Sequence, residues 1–545
     1  MTFASPHSVL FAAWPQPLDP ARSVALSALI ATIPLIVVLV LMGALRKSGL
    51  FASACGLGSA AILAIAVWRM PVALASWSVV YGFAYATCSI LWLVFCALWL
   101  YNLTVATGSF EGLRLWVQHH ASSDVCVQAI LVAFCFGALL EGSAGFGSPI
   151  AVAAFLLVGL GFEPRKAVVI SLLANTAPVA FGGVGIPIVA LAGVTGMDIA
   201  RLSAMVGRQL PFLCLILPAY LTVVVAGPKG LRRTWPAALV AGATFGAVQF
   251  FVSNFWGPYA TDILSSLASI VVLVVFLQFW TPADSGPVSQ RDASPVASPE
   301  PLFSRAALVA WSPWVILAVV MVAWSHFKVF TWGQILTPIP SLHNGVFITL
   351  YKKSYAAIFS FQPLATGTGV LTATILTALC FRVRPGAFAQ AGVKTLRQLR
   401  LPGLTVLFIV GLAYLYNYSG MAYTLGAAVA GVGAIFPLVS SYLGWVACFL
   451  SGSDTAANLL FGNLQVAAAH QLHLNPLLLA ATNSSGAVAG KMISPQNIAV
   501  GVTTVGLIGH EGKVLHKTFW HSVLFAGLLG MISLIQAYVL PGMVP

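Results

Sequence analysis

Charge is what this chain has least of. Lys, Arg, Asp and Glu account for 37 of its 545 residues, 25 basic and 12 acidic, or 7%. Soluble domains carry about a quarter, so the composition excludes a water-soluble protein. Cysteine pairs are missing too: Cys55, Cys88, Cys96, Cys126, Cys135, Cys214, Cys380 and Cys448 lie in or beside apolar runs and form no CxxC. Neither a disulfide framework nor a thiolate metal site follows. No GxGxxG follows a strand pattern, and Walker, HExxH and DDxxD motifs are absent. The expectations are no enzyme, no cofactor, no metal and no nucleotide-driven pump. His119–His120 and His470 with His473 stand without Cys or carboxylate partners, which suits structural or interfacial histidines better than ligands. Strands of about ten alternating residues, the mark of a membrane β-barrel, are lacking as well.

What is present is apolar sequence in long runs: 59% of the residues are hydrophobic, and stretches such as Ala307 to Trp324 are nearly unbroken. A bilayer crossing takes about 20 such residues. Runs at roughly 24–45, 50–67, 79–106, 125–140, 149–161, 166–196, 204–226, 235–254 and 261–280 are followed by others at roughly 306–325, 364–381, 402–418, 423–450, 455–470, 476–500 and 518–540. Several are too short, or too rich in Gly, Ser, Thr and Asn, to cross lipid alone, and need shielding by protein or a water-filled cavity. The fold class expected is an all-α polytopic membrane protein with about 12–14 membrane segments, some of them broken helices or re-entrant hairpins. The net charge of +13 reads as topology and not as affinity for nucleic acid. Lys229, Arg232 and Arg233, and the richer set Arg382, Arg384, Lys394, Arg397 and Arg400, fall between runs and are expected on the cytoplasmic side. Pro15, Pro17 and Pro20 interrupt any cleavable signal pattern.

Four parts are expected: an N-terminal segment 1–23, a first membrane half 24–280, a Pro/Ser-rich linker 281–305 and a second membrane half 306–545. The halves repeat. Glu141-Gly142-Ser143, Asn175 and Pro187 match Ser451-Gly452-Ser453, Asn483 and Pro495, with Gly-to-Asn spacings of 33 and 31 and Asn-to-Pro spacings of 12 in both. Upstream, Tyr101-Asn102 matches Tyr416-Asn417, so the anchors hold one order at offsets of 315, 310 and 308. Small residues recur by chance in membrane proteins, but three anchors in register favour a duplication. Gly- and Pro-interrupted segments at corresponding places of two repeats mark a secondary transporter and point at its substrate site.

Of the twelve acids, Glu141 and Asp454 alone sit within apolar sequence, while Asp262 opens a run. A charge at mid-bilayer costs about 2.5–3.5 kcal/mol on insertion scales. Glu141 and Asp454 are therefore candidates to take and release a coupling proton; for Asp454, capping a helix start is the equal alternative. Glu141 to Pro149 packs three glycines and a proline into nine residues, which resists a continuous helix and frees backbone N–H groups for an anion. Gly142, Ser143, Gly145, Gly147 and Ser148 are the candidate substrate contacts there, although close helix packing would also account for the glycines. Asn175, Thr176, Ser453, Asn483, Ser484 and Ser485 add amides and hydroxyls, with a further interruption expected from Asn483-Ser484-Ser485-Gly486 to Pro495. Lys491, the one cation between Pro476 and Gly509, can meet a substrate carboxylate, Glu141 or Asp454, or snorkel to an interface. Arg208 is a possible anion contact or, preferably, a topogenic arginine.

The strings VYGFAY, FCFGALLEGSAGFGSPIA, LLVGLGFEP, ANTAPVAFGGVGIPI, MVGRQLPF, NYSGMAYTL, LGWVACFLSGSDTAANLLFGNLQ, ATNSSGAVAGKMISPQNIAVG and LIQAYVL together resemble the lactate permease family of bacterial monocarboxylate transporters, from about residue 24 onward. The resemblance implies a multi-pass carrier of the bacterial inner membrane that takes up L-lactate, D-lactate or glycolate with protons, built from two inverted repeats with hairpin tips. Ser143 and Ser148 stand where alanine is more usual in the family, and Asn497 where serine is. The linker and the stretch around Pro338 to Lys353 resemble it least. The partners expected are thus a small monocarboxylate, the proton and the bilayer, with the preferred acid and the oligomeric state open. The mechanism expected is a charged empty site that a buried carboxyl, chiefly Glu141, neutralises on loading. A sodium-coupled or exchange carrier for another carboxylate is the alternative, followed by a membrane enzyme acting on lipid.

Overall fold

In lipid every backbone N–H and C=O must be satisfied from within, so the apolar runs become helices. The computed structural model describes residues 13–45, 47–120, 124–143, 145, 147–282 and 304–545. The interior of the expected linker (283–303), the first twelve residues of the N-terminal segment, Ala144, Phe146 and the side chains of His119, His120 and Ser148 lie outside the described residues. Among the described residues ten helices are long and apolar enough to cross a membrane, and Pro164–Ala174 with Val179–Thr195 forms an eleventh crossing bent by 66°.

One helix supplies two crossings. Leu210–Phe255 has 46 residues, about 69 Å at 1.5 Å each, or twice a bilayer core of ~30 Å. It breaks at Ala226 and at Gly227, whose φ of 67° and ψ of −168° suit glycine alone. Beyond the break the chain returns along itself, with Gly242 against the carbonyls of Cys214 and Leu215 and Gly246 against Pro211. Membrane segments, the hairpin arm Val125–Ser143 among them, thereby reach the lower end of the expected twelve to fourteen. Leu29, Ile62, Phe212 and Phe279 are exposed on the outer helices, as lipid-facing side chains should be.

At the centre stand two hairpins and two broken helices. The first hairpin descends through Val125–Ser143, 94% buried, turns at Gly145 and Gly147 (φ 60° and 80°) and returns as Ser148–Gly159. The second runs Phe436–Ser451, turns at Gly452 (φ 72°) and returns as Asp454–Gln471. The broken helices are Pro164–Ala174 with Gly182–Thr195, left-handed at Gly183, Val184 and Gly185, and Pro476–Lys491 with Pro495–Thr504. Each hairpin's return arm packs on the other repeat's broken helix, Ser148–Gly159 on Pro495–Thr504 and Asp454–Gln471 on Gly182–Thr195. Gly501 accordingly lies against Ile150 and Val168, and Gly462 against Leu191 and Val194. The two hairpins and the two broken helices are thus exchanged reciprocally between the halves.

The sequence anchors map onto this unevenly. Glu141-Gly142-Ser143 and Ser451-Gly452-Ser453 both lead into tips, and Pro187 and Pro495 both open the second halves of broken helices. The asparagines do not correspond: Asn175 caps the helix that ends at Ala174, whereas Asn483 is mid-helix. The interruption expected from Asn483 to Pro495 is confined to residues 492–494, because the helix runs unbroken through Asn483 and Gly486 to Lys491. Its glycines serve close packing instead, Gly486 meeting the backbone of Ser441 and Gly490 that of Trp445 in the neighbouring arm.

The helical expectation also omitted five short strands. Ile335–Pro338 pairs antiparallel with Ile358–Phe361, and Val346–Ile348 lies between Trp14–Pro15 and Lys353–Ser354. They cap the helix ends, where Tyr355 stacks on Tyr418 at 4.2 Å between ring centroids. Asn102 donates to Thr395 and Gln398 on the helix that carries Lys394 and Arg397, and Arg233 pairs with Asp124 at 2.7 Å.

Candidate functional site

The first tip, the two breaks and Lys491 converge. Lys491 ends its half-helix, and its Nζ lies 2.7 Å from Glu141 Oε1. The second carboxylate oxygen, Oε2, accepts from Asn175 Nδ2 at 2.9 Å. Glu141, Asn175 and Lys491 are all buried. Their approach depends on glycine, since a Cβ on Gly182 would stand 2.6 Å from Glu141 Oε1. A glutamate and a lysine 350 residues apart in sequence are thus joined across the two repeats. One member of a buried pair without the other costs about 3–5 kcal/mol, so neither charge is an incidental passenger.

A polar seam runs from here to the second tip. Ser453 caps its helix by accepting from the Ala456 N–H at 3.3 Å. Asp454 Oδ2 accepts from the Ser484 hydroxyl at 2.9 Å, while Oδ1 has no partner. Asp454 and Glu141 are not equivalent as the repeat suggested, for Glu141 precedes its tip and Asp454 follows the other. Asn458 donates to the Pro187 carbonyl and to Ser484 Oγ, both at 3.1 Å. Asn483 donates to Asn458 Oδ1 at 3.0 Å and accepts from Gln465 at 3.1 Å. Ser485 donates to Gln209 Oε1 at 2.6 Å.

The remaining candidates divide. Gly142 presses on Asp262, and Gly145 lies 3.6 Å, by its added Cβ, from the Gly183 nitrogen. Gly147 faces Asn497 and Val500. Thr176 is buried with its hydroxyl unpartnered, while the Ser143 hydroxyl is spent on the Leu139 and Leu140 carbonyls of its own helix. Arg208 is turned elsewhere, donating to Asn254 Oδ1 and the Met543 carbonyl. Sequence reasoning overlooked Asp262, 1% exposed and beside the first tip, along with Asn458, Gln465 and Gln209. An acid just after Gly257-Pro258 was the available signal for Asp262, since Ser453-Asp454 begins a helix in the same way.

Chemically the site offers one fixed cation, a carboxylate that can exchange partners, and amides and hydroxyls at hydrogen-bonding range. That set suits a small organic anion and a proton, and among the described residues no group of three or more His, Cys, Asp and Glu could hold a metal.

Residues 27–540 match the family described as L-lactate permease. Glycolate permease GlcA of Escherichia coli (strain K12) is 41% identical, over 97% of this chain and 99% of that protein. The L-lactate permease of Salmonella typhimurium is 40% identical, over 98% of this chain and all of that protein. Among solved structures, Neisseria gonorrhoeae MtrF superposes with a TM-score of 0.44 at 15% identity, covering 84% of this chain and 83% of that one. The chain belongs to the L-lactate permease family and is a multi-pass membrane transporter, not an enzyme.

Proposed function

We propose that this member of the family carries small 2-hydroxymonocarboxylates, L-lactate, D-lactate or glycolate, across the bacterial inner membrane together with protons. The observation that carries the reading is the buried pair of Lys491 and Glu141 at 2.7 Å. Lys491 matches a substrate carboxylate as well as it matches Glu141, so the incoming anion competes for it. Glu141, displaced, is then an unpaired carboxylate in a dry site and takes a proton in place of its lysine. On this reading Lys491 and Glu141 balance each other before loading, and anion plus proton keep that balance after. A neutral centre crosses between the two sides with the least desolvation cost. Asn175, whose amide already reaches Glu141, supplies a donor for the hydroxyl or carboxylate of the substrate.

In proteoliposomes, Glu141→Gln is expected to abolish accumulation of labelled lactate driven by a pH gradient while lactate–lactate exchange persists. Undiminished uphill uptake by the variant would remove Glu141 from coupling. Replacing sodium by choline at fixed pH is expected to leave wild-type uptake unchanged; a loss would favour sodium as the coupling ion, held by the carbonyls and amides of the broken helices. Running glycolate beside lactate ranks the substrates.

A further inference from the structure

Asp262 is the carboxyl that this mechanism leaves unused. It sits in the first turn of Thr261–Phe279 and is 1% exposed. Neither of its carboxyl oxygens has a hydrogen-bond partner. The charged groups facing it are Glu141 on the first hairpin and Lys491 on the second broken helix, and these two are already matched to each other. Its polar neighbours on Leu210–Phe255 are committed as well: Cys214 Sγ donates to Gln249 Oε1 at 3.1 Å, and Gln249 Nε2 points at the Ala177 carbonyl at 3.4 Å. An ionised carboxylate so placed, with only the Gln249 amide near it, carries a large desolvation cost. Asp454 differs, having the Ser484 hydroxyl on one oxygen.

Two observations separate this residue from an inert buried acid. The first hairpin itself seals it, since a Cβ on Gly142 would meet Asp262 Cβ at 2.7 Å and the Ile263 nitrogen at 3.2 Å. Movement of the Glu141 hairpin away from Thr261–Phe279 therefore uncovers Asp262. Its position in the first turn of a helix also makes the carboxylate tolerable once water arrives, because the free N–H groups and the helix dipole favour a negative charge there.

We propose that Asp262 is a second proton-exchanging carboxyl of this carrier: protonated while the anion is bound, it releases its proton to water on the side where the anion leaves, when the first hairpin moves off it, and regains one on the side where the anion enters, so that the empty carrier reorients with Asp262 ionised. The inference rests on the proton-symport reading above. The step breaks the O–H bond of Asp262 and forms one on water, with no redox partner. With Glu141 it makes two protons per substrate anion.

The test is the pH gradient that nulls a tenfold lactate gradient in proteoliposomes clamped at zero potential. Two protons per lactate balance it at about half a pH unit and one proton at about one unit, since a tenfold ratio and one pH unit are equal free energies. Wild type is expected at the first value and Asp262→Asn, which keeps the shape and cannot ionise, at the second. An identical null point for both overturns the assignment. A wild-type flux indifferent to pH would instead overturn proton symport itself. Should Asp262→Asn fail to fold, the Glu141→Gln/Asp454→Asn double variant carries the question by infrared difference spectroscopy. A protonated-carboxyl band that responds to lactate supports Asp262, and one indifferent to lactate overturns it.

Discussion

Lys491 is 6% exposed with its charge 2.7 Å from Glu141, and that single contact governs what substitutions do. Lys491→Met leaves Glu141 buried without a cation and removes the group that an anion would meet. Lactate affinity, measured by counterflow or direct binding to purified protein, is expected to fall at least tenfold, about 1.4 kcal/mol. Unchanged affinity would take Lys491 out of the anion site. Both residues were visible in the sequence as charges stranded among apolar neighbours, because the cost of inserting a charge into lipid makes such residues conspicuous. Their contact was one of several that the sequence offered for Lys491, and the 350 intervening residues leave spacing without the information to choose among them. Asp262 was misjudged for a related reason: an acid at the edge of a run looks like an acid at the membrane surface, and here the helix begins inside the protein beside Gly142.

Glycine and proline announced where helices would be interrupted, and at the level of elements that announcement was half right. Gly145, Gly147 and Gly452 take left-handed φ values at the tips, where only a residue without Cβ is comfortable. Gly486 and Gly490 have the same composition around them and do the opposite, letting Pro476–Lys491 approach the backbone of Ser441 and Trp445. A glycine serves either purpose, and the neighbour that decides between them lies elsewhere in the chain. Gly486→Ala is accordingly expected to overpack this contact at about 1–3 kcal/mol, lowering the thermal midpoint of the purified protein. An unchanged midpoint would mean that the two helices are not in contact there.

Across the whole molecule, the reciprocal packing of hairpin on broken helix means that transport must slide or open these surfaces. Ile150 and Gly501 lie on opposite sides of one of them, with an added Cβ on Gly501 at 3.4 Å from Ile150 Cγ2. In a background without the eight native cysteines, a disulfide between Ile150→Cys and Gly501→Cys is expected to stop net lactate uptake, with recovery on reduction. Full uptake with the cross-link formed would show that this surface stays closed throughout the cycle.

Composition and periodicity alone determined that the chain is a helical membrane protein, that it is internally repeated, and that Glu141, Asp454 and Lys491 are out of place unless they do something. These follow from local physics: the cost of exposing peptide groups or charge to lipid applies residue by residue and leaves its mark on the sequence. Which charge meets which, that Asn483 lies within a helix while Asn175 ends one, and that Asp262 is sealed by a hairpin were decided only in three dimensions. Partners in a polytopic bundle are chosen by packing between distant segments, and the burial that gives an acid its chemistry is a property of its surroundings, not of its neighbours along the chain.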